Sequence, residues 1–287
     1  LKFNLNKIQK IELNTSNDIN FVRFAGKTGI LGGDSGLVYL SFNEGENWSA
    51  ANLDSTVNFF DGCILKDGKS FLVGNKSEIY SSYNYFKNLT KYTFPNDFSI
   101  FKIFFKNQTI GFILGSKGML YITKDKGNNW QKINVPTQEI LYDIDFTDSD
   151  NGIIVGWNGL ILKTENGGID WKKVESNTNK YLRAVSLSNG DGIACGGSGD
   201  ILFSSNNGES WQIIKTGFVG SLSGIKFLDK KNILGVGTKG RLIFSNNGGK
   251  NFKIVTTKTF VNFTKLHKNK NGTVFISGQN GTLLRLN

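Results

Sequence analysis

The chain has 287 residues, of which 38% are hydrophobic and 13% aromatic, with 35 glycines but only 2 prolines. The formal net charge is +11, yet only four of the 34 basic residues are arginines: Arg23, Arg183, Arg241 and Arg285. Because nucleic-acid and phosphate sites favour the bidentate guanidinium group, this lysine surplus does not indicate a nucleic-acid partner. No apolar run approaches the roughly 20 residues of a membrane-spanning helix, which excludes that class.

The first residue is Leu1 and not methionine. Two interpretations stay open, a mature form that has lost a signal peptide or a shortened chain, and we expect the first. The protein would then be exported to the periplasm, the cell surface or the medium.

A short Gly-x-x-Gly turn recurs along the whole chain. Its first glycines are spaced by 40 or 41 residues, at Gly33, Gly74, Gly115, Gly156, Gly196, Gly237 and Gly278. Six repeats keep the second glycine, and Ser77 replaces it in the second repeat. Two residues between glycines, flanked by apolar strands, predict a tight β-hairpin loop. A period near 40 residues is typical of a propeller or a solenoid.

Four short strands are predicted in each repeat. In the fourth repeat they cover Leu141–Phe146, Gly152–Val155, Leu160–Thr164 and Trp171–Val174. Continuous apolar runs such as Gly152–Val155 suit strands that are covered on both faces, as in stacked blades. The sequence therefore predicts an all-β fold, a seven-bladed β-propeller of four-stranded antiparallel blades that forms a single domain over residues 1–287.

The two ends of the chain complement each other. The last repeat stops after its third strand, Leu283–Leu286, and lacks a fourth. Residues 1–13 precede the first inner strand and have no partner in their own repeat. We expect them to supply the outer strand of the last blade, which would pair two exposed edges and close the ring.

The cysteines and the glycine turns do not predict a reactive centre. Cys63 and Cys195 lie in repeats that are far apart, so we expect two buried thiols and no disulfide. No cluster of cysteine or histidine has metal-ligand spacing. The Gly-x-x-Gly turns precede strands and not helices, which argues against phosphate loops. The sequence predicts no metal and no cofactor.

A second turn follows the third strand of the repeats. In the fourth repeat it consists of Thr164, Asn166, Gly168 and Trp171. Four other repeats carry the same pattern, from Ser41 to Trp48, Thr123 to Trp130, Ser204 to Trp211 and Ser245 to Phe252. The second repeat keeps Ser82 and Asn84 and then departs, with Phe86 and Leu89. A short Asp or Asn side chain bonds amides of its own turn, glycine permits a positive φ, and the Trp offers a packing face. Recurrence in so many blades favours a structural role over a catalytic or calcium-binding one.

This second turn resembles the Asp-box, or BNR repeat, of sialidases, sortilin-type receptors and photosystem II assembly factors of the YCF48 type. The even period and the lack of inserts are most similar to the YCF48 type. The resemblance implies a propeller that binds or helps to assemble other proteins, without catalysis. We therefore expect a monomeric protein-binding module whose partner is another protein or protein complex, with a glycan or an anionic polymer as the alternative.

Charged residues occur at equivalent positions of the innermost strands. We expect Arg23, Lys226 and Lys265 to lie together at a central channel, because their repeats become neighbours when the ring closes. Asp143 and Asp145 would lie across it, so that one side attracts an anion. The alternative is a hydrated pore whose charges only avoid burial.

A carbohydrate-active protein is the alternative function. A glycosidase needs two carboxyl groups, and Asp143 with Asp145, or Asp61 with either, would supply them. A sialidase needs three arginines near the axis, which this chain does not supply because Arg241 and Arg285 occur on third strands. No substrate-binding insert accompanies the carboxyl groups, which favours a protein without catalysis.

One residue of the fourth tight turn breaks the repeat pattern. Trp157 lies where the other repeats have small or polar residues. An aromatic side chain on a turn is a candidate anchor for a partner. We expect it to lie near Tyr181, Arg183 and the linker 93–98. The alternative is that Trp157 packs over the neighbouring blade.

Overall fold

The computed structural model describes residues 8–51, 53 and 56–286. Its fold is all-β, a seven-bladed β-propeller of four-stranded antiparallel blades, which confirms the predicted class. The strands are β1 (Ile8–Ile11), β2 (Ile19–Ala25), β3 (Thr28–Gly33), β4 (Val38–Ser41), β5 (Ser49–Ala50), β6 (Phe59–Ile64), β7 (Ser70–Gly74), β8 (Glu78–Ser82), β9 (Thr90–Thr93), β10 (Ile100–Phe105), β11 (Gly111–Gly115), β12 (Leu120–Thr123), β13 (Gln131–Ile133), β14 (Leu141–Phe146), β15 (Gly152–Gly156), β16 (Ile161–Thr164), β17 (Lys172–Val174), β18 (Leu182–Ser188), β19 (Asp191–Gly196), β20 (Ile201–Ser204), β21 (Gln212–Ile214), β22 (Leu222–Phe227), β23 (Ile233–Gly237), β24 (Arg241–Ser245), β25 (Lys253–Thr256), β26 (Phe263–Lys268), β27 (Val274–Gly278) and β28 (Thr282–Leu286).

Helical structure is limited, in the described ranges, to two 3-10 turns at Trp157–Gly159 and Thr238–Gly240. Within those ranges no helix has the length and hydropathy to cross a bilayer.

The chain divides into two compact units, one of residues 1–103 and 261–287 and the other of residues 104–260. Blades are numbered from 1, which begins with β2, to 7, which begins with β26. The first unit holds blades 1, 2 and 7, with strand orders β2-β3-β4-β5, β6-β7-β8-β9 and β26-β27-β28-β1. The second unit holds blades 4, 5 and 6, each ordered as in the sequence. Blade 3 begins with β10 in the first unit and continues in the second. That all seven blades form a single domain stays a prediction.

The N-terminal strand completes blade 7. β1 pairs antiparallel with β28, with Ile8 opposite Leu286 and Ile11 opposite Leu283. This confirms that the N-terminal segment supplies the outer strand of the last blade. The strand is shorter than the predicted span of 1–13, and residues 1–7 of that span lie outside the described residues. The pairing covers an edge of β28 that would otherwise present unpaired backbone groups.

Apolar strands of neighbouring blades pack against each other within each unit. In the second unit, Phe112 of β11 and Ile154 of β15 share one buried cluster with Trp171. Every residue of β15 is buried, which explains why its sequence is apolar without alternation. In the first unit, Phe275 of β27 packs in the same way with Val22 and joins blades 7 and 1.

The first turn of each blade is longer than the predicted two-residue loop. In blade 4, β15 ends at Gly156 and β16 begins at Ile161, so four residues connect the strands. The amide of Gly156 bonds to the carbonyl of Leu160, and Asn158 and Gly159 have φ values of 55° and 68°. A Cβ on Gly156 would lie 2.2 Å from the carbonyl oxygen of Ile140, and one on Gly159 would lie 1.9 Å from that of Thr178. Both glycines are therefore required by close approach of the turn to the main chain.

The second turn is held by its own side chains. The hydroxyl of Thr164, which is 1% exposed, accepts the amide of Gly168 at 2.9 Å and donates to Oδ1 of Asn166 at 3.1 Å. Asn166 Oδ1 also accepts the amide of Asp170 at 3.0 Å, and Trp171 Nε1 donates to the carbonyl of Gly168. These bonds serve the turn itself, as the residue types predict.

Blade 2 reaches the same packing by another route. Phe86 occupies the glycine position of its second turn, with a φ of 65°, and is 5% exposed. It packs with Ile30 and Phe59, so its ring fills space in the core while Leu89, at the Trp position, stays 41% exposed. A bulky residue at positive φ costs about 1–3 kcal/mol of strain, which the burial of the ring offsets.

We predict that Thr164→Val lowers the free energy of unfolding by about 1–3 kcal/mol, because valine has the same shape but leaves the buried amide of Gly168 without an acceptor. Urea unfolding followed by far-ultraviolet circular dichroism measures the change. Thr164→Ser is the matched control, since Ser41, Ser82, Ser204 and Ser245 already serve at this position. Equal stability of the valine and serine variants would contradict the role of the hydroxyl.

The second turn of blade 3 carries an aspartate, and this predicts a pH dependence. The backbone amide and the side-chain amide of Asn129 lower the pKa of Asp125 to about 2. Because this value lies below the ordinary one near 4, the carboxylate stabilises the fold above about pH 4, and this stabilisation is lost as the pH falls toward about 2. Asp125→Asn should remove that component while leaving stability at neutral pH nearly unchanged.

The reciprocal change serves as the control. Asn206 accepts the amide of Ser210 at 3.1 Å in the equivalent turn of blade 5, so Asn206→Asp should add an acid-sensitive component. Thermal unfolding midpoints between about pH 2 and pH 7 compare the three proteins, and identical acid profiles would contradict the prediction.

Candidate functional site

A pocket of about 260 Å³ opens in the second unit. Eight residues line it: Tyr142, Trp157, Tyr181, Arg183, Ser221, Leu222, Ser223 and Thr238. Three of them, Trp157, Tyr181 and Arg183, are the surface residues that the sequence singles out. The linker 93–98, expected beside them, lies in the first unit.

Trp157 forms the outer rim of this pocket. It begins the 3-10 turn of blade 4, and its amide bonds to the carbonyl of Ile140 at 2.9 Å, which fixes the backbone. The indole stacks on the ring of Tyr181, with centroids 5.7 Å apart and planes 5° apart, yet 47% of the residue stays exposed. Trp157 therefore packs toward blade 5 and also keeps a large apolar surface open to solvent.

Tyr181 is fixed on both sides of its ring. One side faces Trp157, and the other lies against Gly197, which occupies in blade 5 the turn position that Trp157 has in blade 4. A Cβ on Gly197 would lie only 2.7 Å from Cε1 of Tyr181, so this glycine makes room for the ring. The hydroxyl of Tyr181 and that of Ser221 are 3.0 Å apart and form a hydrogen bond. The aromatic stack is thus held in one orientation before any ligand arrives.

Bulges in the inner strands aim three further side chains at the pocket. The register of β14, β18 and β22 shifts where Tyr142, Arg183 and Ser223 stand, so each is the extra residue of a β-bulge. The guanidinium carbon of Arg183 lies 4.5 Å from the ring centroid of Tyr142. Burial raises the pKa of Tyr142, although the positive charge of Arg183 opposes this shift. The site combines aromatic faces with one cation.

Sequence reasoning missed Tyr142 and Ser223. Both stand at positions equivalent to Arg183, at spacings of 41 and 40 residues, so the repeat alignment contains the signal. Regular alternation assigns this position to neither face with certainty once a bulge is present, and the bulges were not predicted.

The predicted channel residues of the first unit meet at Asp61 on β6, which is completely buried. Arg23 Nη2 lies 2.6 Å from Oδ1 of Asp61, and Lys265 Nζ lies 3.4 Å from the same oxygen. Lys102 Nζ lies 3.7 Å from Oδ2. Burial by itself would raise the pKa of Asp61, but the charges of Arg23, Lys265 and Lys102 hold it below its usual range. Arg23 and Lys265 are thus brought together, around a carboxylate and a lysine that the expectation did not include.

The predicted channel residues of the second unit serve neighbouring strands. Asp143 and Asp145 each accept a backbone amide of β18 at 3.0 Å, from Val185 and Leu187 respectively. Lys226 Nζ lies 3.5 Å from Oδ2 of Asp145. The expectation that Lys226 lies apart from the two carboxylates is therefore wrong, because its long side chain reaches past β18 to β14. Whether any of the five channel residues binds a ligand stays a prediction.

These contacts do not favour glycoside hydrolysis. An oxygen of each of Asp143 and Asp145 is used to hold an inner strand of the next blade. None of the eight pocket residues is acidic, so this pocket does not contain the carboxyl pair of a glycosidase.

Cysteine and metal chemistry are not prominent in the described residues. Cys63 and Cys195 are free thiols, and burial raises the pKa of both. No group of three or more His, Cys, Asp or Glu side chains in the described part of the chain is placed to hold a metal ion.

Comparison with known proteins places this geometry in a family context. Residues 122–218, which include Trp157, Tyr181 and Arg183, match the family model of the photosynthesis system II assembly factor YCF48. No curated protein matches the sequence.

Several solved structures share the fold. YCF48 from Cyanidioschyzon merolae is 17% identical, with a TM-score of 0.81 over 97% of this chain and 98% of that one. A structure of YCF48 bound to D1 peptide is 20% identical, with a TM-score of 0.83 over 100% of this chain and 96% of that one. The WD40 β-propeller domain of Doa1 is 11% identical, with a TM-score of 0.80 over 97% and 95%.

The recurrent second turns, the seven blades and the family model agree with one another. The chain is a YCF48-like β-propeller built from Asp-box repeats.

Proposed function

We propose that this protein is a non-catalytic binding or assembly module that holds an extended segment of a partner protein at the pocket of Trp157, Tyr181 and Arg183. The observation that carries the proposal is the Trp157 indole, stacked on Tyr181 and still 47% exposed at the rim. Half-exposed tryptophans beside a desolvated pocket are the residues that most often dominate the affinity of a protein interface.

The size of the pocket supports a side chain as its ligand. Sites for whole small molecules have volumes of about 300–1,000 Å³. This pocket, at about 260 Å³, suits one or two side chains of a peptide. Its aromatic lining favours an apolar side chain, and Arg183 favours a carboxylate or a carbonyl group close to it.

The similar YCF48 propeller bound to D1 peptide supports a peptide ligand for this fold. The partner of the present chain is defined by chemistry, as an extended segment with an apolar side chain next to an acceptor. Export, a monomeric state and the absence of catalysis stay predictions that fractionation, sedimentation and substrate screens would test.

Selection of a displayed library of random peptides against the wild-type protein tests the proposal. Selected peptides should bind Trp157→Ala with a dissociation constant higher by about thirtyfold, which corresponds to about 2 kcal/mol. Ile169→Ala is the matched control, because Ile169 is 56% exposed on another turn of the same blade. A glycan array measured in parallel distinguishes the alternative, and sugar binding lost in Trp157→Ala with no peptide selected would overturn the proposal.

A second variant tests the stack without touching Trp157. Gly197→Ala should weaken peptide binding by about tenfold, because the new Cβ displaces the Tyr181 ring on which the indole rests. Tyr181→Phe is the control, since it keeps the ring and removes only the hydrogen bond to Ser221. Fluorescence anisotropy with a labelled peptide measures both. If Gly197→Ala bound as tightly as Tyr181→Phe, the stack would not orient the site.

A further inference from the structure

We propose that the Asp61 cluster, formed by Arg23, Asp61, Lys102 and Lys265, binds a small tetrahedral dianion of the phosphate class. All four residues lie on inner strands of the first unit or at their ends, on β2, β6, β10 and β26. The site is separate from the Trp157 pocket, and no step of its argument depends on the peptide-binding function.

Charge is the first part of the argument. One buried carboxylate faces three cations, whose nitrogen atoms lie between 2.6 and 3.7 Å from its oxygens. Cations held so close to a single carboxylate repel one another, and a further anion reduces that repulsion. A dianion balances the cluster, since three positive charges and one negative charge leave two positive charges.

The cations are held in position before a ligand binds. Arg23 donates from Nη2 to Asp61 and from Nη1 to the carbonyl of Val22 at 2.9 Å. Lys265 donates to the carbonyl of Phe60 at 2.9 Å. Preorganised donors lose little conformational entropy on binding, which favours a small ion over a flexible ligand. A fixed guanidinium group is also the donor that best matches an oxyanion.

The cations are also accessible. The side chains of Arg23, Lys102 and Lys265 are 15%, 13% and 19% exposed, whereas Asp61 is 0% exposed. The carboxylate therefore lies beneath the cations, and an ion that approaches the cluster from solvent meets positive charge. Arrangement in one accessible layer above a buried counterion is the geometry of an anion site.

A pair in the second unit offers a natural comparison. Lys226 also stands on an inner strand, but it meets Asp145 as a single cation beside a single carboxylate, and its side chain is 42% exposed. That pair is already balanced in charge. It should therefore attract a dianion much less than the Asp61 cluster does.

Isothermal titration of the full chain with inorganic phosphate at about pH 8, where a phosphoryl group carries two charges, tests the proposal. We expect saturable binding that sodium chloride at equal ionic strength does not reproduce. Lys102→Gln should weaken phosphate binding by at least about tenfold, as expected for the loss of one charge-assisted contact. Lys226→Gln, the matched control, should bind within about twofold of wild type.

Two further measurements keep the test decisive. Lys265→Gln is the second variant, because it leaves the Arg23–Asp61 pair in place if Lys102→Gln does not fold. Titration with phosphoserine separates a free ion from a phosphoryl group on a larger ligand, and binding of either supports the site. The proposal is overturned if phosphate does not bind saturably, or if Lys226→Gln and a folded cluster variant weaken binding equally.

Discussion

The close approach of each first turn to the main chain is the contact on which the other features of a blade depend. Gly156 and Gly159 lie against carbonyl oxygens of Ile140 and Thr178, so no side chain fits at either position. The residue after the first glycine does not meet this constraint and varies between blades, from Trp157 to Gly197 to Thr238. The turn can therefore carry a ligand-binding side chain without a cost to the fold. The pocket uses this freedom, since a large residue in one blade is matched by the absence of a side chain in the next.

The inner strands impose a second constraint, because one edge of each has no further strand to pair with. Their backbone amides need acceptors from elsewhere. In the second unit Asp143, Asp145 and Ser186 provide these acceptors, each for an inner strand of the next blade. The bulges free neighbouring positions from this duty and aim Arg183 and its equivalents at the pocket. A polar residue on an inner strand is thus either a structural acceptor or a site residue, according to its place relative to the bulge.

This distinction explains what the sequence could and could not predict. The blades, the N-terminal strand and the second turns follow from a fixed period and from local chemistry, and they were predicted. Trp157, Tyr181 and Arg183 were also grouped correctly, because their repeat positions place them in adjacent blades. Contacts of long side chains were not predictable, since Lys226 reaches Asp145 across an intervening strand and Lys102 joins Arg23 at Asp61. Such contacts depend on rotamers and on bulges, neither of which leaves a periodic signal.

Blade 2 shows which part of the Asp-box the fold requires. Its Ser82 hydroxyl still accepts a backbone amide, that of Phe86 at 3.0 Å, although the glycine and the Trp are both replaced. The lost Trp is compensated by Phe86, which enters the core from the glycine position at the cost of a strained φ. The constant requirements are therefore the hydroxyl that caps the turn and an aromatic volume beneath it, and not a particular residue. An element whose chemistry is met by such different side chains serves packing, which leaves the turns and bulges of the inner strands as the positions where this propeller carries its individual function.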